Sequence, residues 1–350
     1  MSGTSRRDFL RYLMALSAAG LSTYLSGCKS TTLTPAAKTM EELVGFTDGP
    51  EATKPSSTEI SNAEPTAAEA TDVAPTDTKS AYLGVVRGKG ASPDALTRRA
   101  VAAVGGIERF VAQGAEVIVK PNICNAYHGP EYASTTNPGV VGAIVAMCFE
   151  AGAKRVRVMD FPFGGKAEDA YQKSGIAQAV EAAGGQMELM NALKYQEVKI
   201  PSAKALSKTQ VYADILNADV LINVPIAKHH SGAGLTLGMK NLMGVIRDRG
   251  ALHANGLHPS IAELSTVVRP QLTVIDATRI LVANGPTGGS LSDVRQVDTV
   301  IAGPDVVAAD AYAATLFGLT GADIEYIRLG DQLGLGTLDL TAIDVEEFDL

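Results

Sequence analysis

Cysteine is scarce in this chain: three residues among 350, at positions 28, 124 and 148. An iron–sulfur cluster held wholly by one chain normally takes four thiolates, so no self-contained four-cysteine cluster fits. Nor can disulfides serve as the scaffold; the fold must rest on an apolar core, for which a hydrophobic content of 46% is ample. A Cys124–Cys148 bridge stays open, because sequence does not fix the separation of their Cα atoms. Clustered basic residues are also lacking. The net charge is −8 and the globular part is itself mildly acidic, which excludes nucleic acid as a partner. There is no G-x-x-x-x-G-K-[ST] phosphate loop, no G-x-G-x-x-G dinucleotide fingerprint, no H-E-x-x-H metal motif and no internal repeat.

What is present begins with an address. Ser5-Arg6-Arg7-Asp8-Phe9-Leu10-Arg11 reads as a twin-arginine export motif, followed by an apolar run from Tyr12 to Leu25. That run falls short of the about 20 residues that span a bilayer, and it is interrupted by Ser17, Gly20, Ser22 and Thr23. Leu25-Ser26-Gly27-Cys28 closes it as a lipobox, with Cys28 the lipidated mature N-terminus. Residues 1–27 are therefore expected to be a cleaved lipoprotein signal. The twin-arginine export machinery and, through the lipid, a membrane outside the cytoplasm are the expected partners. Residues 28–80 are rich in Thr, Ala, Pro, Ser and Glu without an apolar period, the composition of a disordered tether. Treated as a flexible coil, it reaches roughly 40 Å.

Residues 81–350 alternate strand and helix. Strands are expected at Tyr82 to Val86, Glu116 to Lys120, Arg155 to Asp160, Val220 to Val224, Leu272 to Asp276 and Asp298 to Ala302. Helical spacing of apolar residues covers Pro93 to Ala112, Pro138 to Ala151, Glu168 to Ala183, His258 to Val268 and Pro304 to Phe317. Ser92-Pro93 and Asn137-Pro138 are cap-plus-proline helix entries. The class is α/β: a mostly parallel sheet with helices on both faces, and a small antiparallel insertion between Gln186 and Tyr212.

In open α/β sheets ligands bind at the carboxyl ends of the strands. Lys120-Pro121-Asn122 follows the second expected strand, Asp160 ends the third, Asn223 through His230 follow the fourth, and Asp276 ends the fifth. Ser231-Gly232-Ala233-Gly234 then reads as a glycine loop opening a helix at Leu235, whose free amides would seat a phosphate or carboxylate. With three lysines nearby, a small anion is the expected ligand, held by Lys120, Asn122, Asn223, Lys228, Gly232, Gly234, Lys240 and Asn241. His229 is the expected general acid or base, oriented by Asp160 or Asp276. Adjacent strand residues face opposite sides, so only one of His229 and His230 is expected in the cleft. No ligand spacing assigns a metal, and the cofactor stays unassigned. Asp310, an acid in an apolar helix, either caps a buried backbone group or faces the site.

These residues carry a resemblance. Lys120-Pro121-Asn122, Asn137-Pro138, Gly152-Ala153, Asn223-Val224-Pro225, Lys228-His229, Leu235 through Gly244 and Ala309-Asp310-Ala311 resemble the family catalogued as domain of unknown function 362. Many of its members look like redox-associated proteins with a ferredoxin-type cysteine run, which this chain lacks. The order of the strand-end polar residues is also similar to the nickel-pincer lactate racemase superfamily, a likeness that implies a lysine-attached cofactor. The expected activity is an exported enzyme acting on a small anionic metabolite, or a redox-associated accessory protein. The alternative is a lipoprotein that binds a solute without chemistry, which two similar lobes around a hinge would mark.

Overall fold

The computed structural model describes residues 82–350; the signal, the lipidation site Cys28 and the tether expected over residues 1–80 lie outside the described residues. The strands are β1 (Tyr82–Arg87), β2 (Glu116–Pro121), β3 (Arg155–Val158), β4 (Gln186–Met187), β5 (Tyr195–Lys199), β6 (Lys208–Tyr212), β7 (Val220–Val224), β8 (Ile226–His230), β9 (Gly234–Thr236), β10 (Leu272–Leu281), β11 (Val294–Gly303) and β12 (Asp344–Asp349). The α-helices are α1 (Pro93–Ala103), α2 (Pro138–Glu150), α3 (Ala167–Lys173), α4 (Ile176–Ala182), α5 (Ala213–Asn217), α6 (Gly238–Asn241), α7 (Arg249–Ala254), α8 (Leu257–Val267), α9 (Val306–Thr315) and α10 (Glu325–Gln332). Among the described residues no helix is long and apolar enough to cross a membrane.

The main sheet runs β12-β1-β11-β10-β7-β2-β3-β4. Every neighbouring pair along it is parallel except the two made by β11, so one reversed strand sits in an otherwise parallel sheet. Both faces are covered, and the strands alternate between two cores. Val117, Val119, Val156, Val158 and Ile222 meet α1, α2 and α4 on one face. Ile118, Leu221, Ile275 and Ile301 turn to the other, where α8, α9 and α10 pack. Strands buried on both sides need apolar residues at every position, hence their continuous apolar runs. β5 and β6 form a separate antiparallel pair, in the stretch where the sequence predicts an insertion.

The helix entries behave as capping chemistry requires. The Ser92 hydroxyl accepts from the Ala95 amide at 3.1 Å, and the Asn137 side chain from the Gly139 amide at 2.9 Å. The single helix expected over Glu168 to Ala183 is instead two, broken at Ser174-Gly175, where the glycine takes φ +74°. All six expected strands form, but β10 and β11 run ten residues each rather than five. Both extend past β7 and β1 as a hairpin, and Ile280 and Leu281 are fully buried in the added part of β10.

The chain moves outward from β2 through β3 to β4, then returns to place β7 on the opposite side of β2. The strand order therefore reverses between β2 and β7, the switch point at which a parallel sheet opens a crevice at its carboxyl edge.

Candidate functional site

At that switch point Lys120 of β2 and Asn223 of β7 lie directly opposite each other. Side-chain alternation puts them on the same face as Ile118 and Leu221. Over them lies the buried segment formed by α6 and the following 3-10 turn, Leu242–Val245. Asn241 joins the three elements. Its Oδ1 accepts from Lys120 Nζ and from Asn122 Nδ2, both at 2.9 Å, while its Nδ2 donates to Asn223 Oδ1 at 2.8 Å. Asn223 in turn donates to the Gly238 carbonyl at 2.9 Å.

Lys120 is fully buried and ion-paired with Asp160 at 2.7 Å. Burial drives its ammonium below the usual lysine range, with Asp160 acting in opposition. The Asp160 carboxylate also accepts from the Ile123 amide at 2.6 Å and the Phe161 amide at 2.9 Å. A Cβ on Gly244 would fall 2.0 Å from Asp160 Oδ1 and 2.6 Å from Lys120 Nζ, so only glycine lets the covering turn close over this pair.

Lys228 is held differently. It lies on β8, which pairs in parallel with the extension of β10 and antiparallel with β9. Its Nζ donates to Asn122 Oδ1 at 3.0 Å, the Ser134 carbonyl at 2.5 Å and the Pro286 carbonyl at 3.0 Å. Two residues on, His230 faces the same cavity, whereas His229 points away and accepts from the Gly285 amide at Nδ1, at 3.0 Å. Of the two neighbouring histidines the one in the cleft is therefore His230 and not His229. The Gly232–Gly234 stretch is the turn of the β8–β9 hairpin rather than a helix-opening loop. Neither glycine lines the cavity, and the Gly232 and Ala233 amides are spent on His230 Nδ1, at 3.0 and 3.1 Å. Burial, then Lys240 and Lys228, push the His230 imidazole down to about 3.

The helix opens later, at Gly238, and its amino end faces a side chain of the protein itself. Asp310 of α9 accepts the Gly238 amide at Oδ1 and the Met239 amide at Oδ2, at 2.6 and 3.0 Å. Burial raises its carboxyl to about 7 in spite of those two bonds. A Cβ on Gly238 would stand 2.6 Å from Asp310 Oδ1, so the glycine is needed for this approach. Of the two roles left open for Asp310, the structure selects the cap. Two residues further, Lys240 is 8% exposed, and among the described residues its Nζ finds only the thioether of Met243, at 3.7 Å. Burial, then Lys228 and Arg249, lower its ammonium to about 7.

Lys120, Asn122, Asp160, Lys228, Lys240 and Asn241 line one cavity of about 310 Å³. Cys124, Phe161, Phe163, His230, Thr236 and Arg249 join them. Four side chains of the lining are cationic by type and one, Asp160, is a carboxylate. Arg249 donates to the Phe161 and Pro162 carbonyls at 2.7 and 3.3 Å and stands over the Phe161 ring. Thr236 is buried, and among the described residues its hydroxyl has no partner. Sequence reasoning missed Thr236, Arg249 and the two phenylalanines; the only signal was that Phe161-Pro162-Phe163 follows a strand end. Asp276 lies outside the cavity lining, fully buried, where it accepts from the Asn137 amide and from both the amide and hydroxyl of Thr278. Burial raises its carboxyl. Cys124 and Cys148 are both free thiols, so the open question of a bridge is answered in the negative. Among the described residues no three His, Cys, Asp or Glu side chains cluster closely enough to hold a metal ion.

An α/β domain with a cationic cavity at its topological switch point defines the class of this protein. The chain belongs to the family described as "domain of unknown function (DUF362)", which matches residues 117–315. A thylakoid-associated protein of Synechocystis sp. is 28% identical over 246 residues, covering 66% of this chain and 72% of the relative. Among solved structures, the lactate racemase apoprotein of Thermoanaerobacterium thermosaccharolyticum covers 61% of this chain at 13% identity and a TM-score of 0.41. A Thermotoga maritima protein covers 65% at 15% identity and a TM-score of 0.42. The chain spans little more than half the length of these two structures, 53% and 58%.

Proposed function

We propose that this chain is an exported, lipid-anchored enzyme that binds a small anionic metabolite in the cavity lined by Lys120, Asp160, Lys228 and Lys240. The observation that carries the binding reading is the charge balance of the lining: among the described residues, three lysines and Arg249 face Asp160 alone, with no carboxylate beside Lys240. A cavity of that sign, whose three lysines are buried, attracts a small anion more strongly than an exposed patch does. Its volume lies at the small end of ligand pockets, which favours a metabolite over a polymer. Lys240, Arg249 and the free Thr236 hydroxyl hold the anion in this reading, and His230 takes the role first given to His229. One sheet with its polar groups at a single rim favours chemistry over a two-lobed solute binder.

The address rests on Arg6, Arg7 and Cys28. The Synechocystis relative is named as thylakoid-associated. The test is a thermal-shift series on the full chain with phosphate, lactate, succinate and pyruvate. A ligand that binds the native state alone raises Tm with concentration, and Lys240→Met should abolish the rise. A Tm that none of these anions moves refutes the binding reading.

A further inference from the structure

We propose that Lys240 is a reactive amine that condenses with the carbonyl group of a small 2-oxo acid and holds it as an imine. This rests on the anion-binding reading above and names its substrate class. The argument begins with a donor count over the three cavity lysines, each of which carries three N–H donors when charged. Lys120 uses its donors on Asp160, Asn241 and the Pro121 carbonyl. Lys228 uses its own on Asn122, Ser134 and Pro286. Lys240 has no oxygen acceptor among the described residues, although it is 8% exposed and lines the cavity. A buried amine with no carboxylate and with cations for neighbours favours its uncharged form, and the uncharged form has the lone pair that attacks carbon.

A simple anion receptor would be better served by a fully charged ammonium, which this setting opposes. A carbonyl acid suits both features of the site. Its carboxylate answers Arg249, whose guanidinium has no acidic partner among the described residues, and its carbonyl carbon answers Lys240. His230 accepts two amide N–H groups at Nδ1, which assigns the ring proton to Nε2. That Nε2–H and the unpartnered Thr236 hydroxyl are the donors left for the carbonyl oxygen. In the step itself the Lys240 nitrogen adds to the carbonyl carbon while the π pair moves to oxygen. The oxygen then takes the two amine protons in turn and leaves as water, so a C=N bond replaces C=O with no oxidant or reductant.

The experiment incubates the full chain with pyruvate and sodium borohydride, then maps the reduced adduct by peptide mass spectrometry, with Tm measured alongside. The expected result is an adduct on Lys240 that grows about tenfold between pH 6 and pH 8, as an amine near pKa 7 loses its proton. Lactate, the same anion without the carbonyl, should raise Tm and leave no adduct. Lys240→Arg keeps a cation but cannot form an imine, so it should lose the adduct and keep the lactate shift. Lys154→Arg, at an exposed lysine, should change neither. A pyruvate-dependent rise in Tm with no adduct, or with adducts only on exposed lysines, overturns the imine and leaves the anion reading standing. No shift with any anion removes both.

Discussion

Three lysines meet at one cavity, and their counter-groups give each a different character. Lys120 needs Asp160, because a charge taken out of water is tolerated only beside its opposite. Asp160→Asn is therefore expected to cost about 3–5 kcal/mol, read as a fall in the urea midpoint at unchanged m. Lys228 is surrounded by neutral oxygens, and Lys240 has only a thioether. That last contrast has a pH signature. Lys240 titrates at about 7 when folded, against about 10.4 in an unfolded chain. Between those values the unfolded state holds more protons, so the residue's contribution to stability rises with pH from about 7 to about 10. Urea midpoints at several pH values should show this slope in the native protein and a flatter one in Lys240→Met. Anion affinity runs the other way, because an anion that needs the ammonium loses it above about pH 7. Titration with lactate should therefore give weaker binding at pH 8 than at pH 6, and equal binding would separate Lys240 from the anion.

The segment that carries Lys240 is four helical residues long, too short to persist without tertiary support. Asp310 supplies that support from α9 by accepting two amides that have no other partner. Asp310→Ala would orphan both, at about 1–3 kcal/mol each, and should also weaken the lactate-induced rise in Tm. Asp310→Asn retains one acceptor and should fall between the two. At the far end of the same segment, Gly244→Ala forces a methyl against the Lys120–Asp160 pair and is expected to cost about 1–3 kcal/mol by denaturant titration. Local signals differ in how well they announce such elements. Ser92-Pro93 and Asn137-Pro138 are legible because a cap acts within three residues. The β8–β9 hairpin is not, because Gly232 and Gly234 suit a helix-opening loop and a strand turn equally. Only the pairing of β8 with a lengthened β10 decides between them.

For the protein as a whole, Cys28→Ala should move it from the membrane pellet to the soluble fraction, and replacing Arg6 and Arg7 by lysine should retain it in the cytoplasm. Either variant behaving as the native protein in fractionation would remove the proposed address. The α/β class was legible throughout, since apolar strand runs alternating with amphipathic helices leave few other arrangements. So was the gathering of Lys120, Asp160 and Lys228, because parallel strands bring their carboxyl ends to one edge wherever they occur in sequence. Three matters were decided by tertiary structure alone: that β11 runs backwards, that His230 rather than His229 enters the cavity, and that Asp310 closes the helix end expected to receive a ligand. Each depends on a contact between segments far apart in the chain. Composition and spacing record what a residue can do over a few neighbours; which side it turns to, and whether its donors are already taken, is set by the distant partner that folding brings against it.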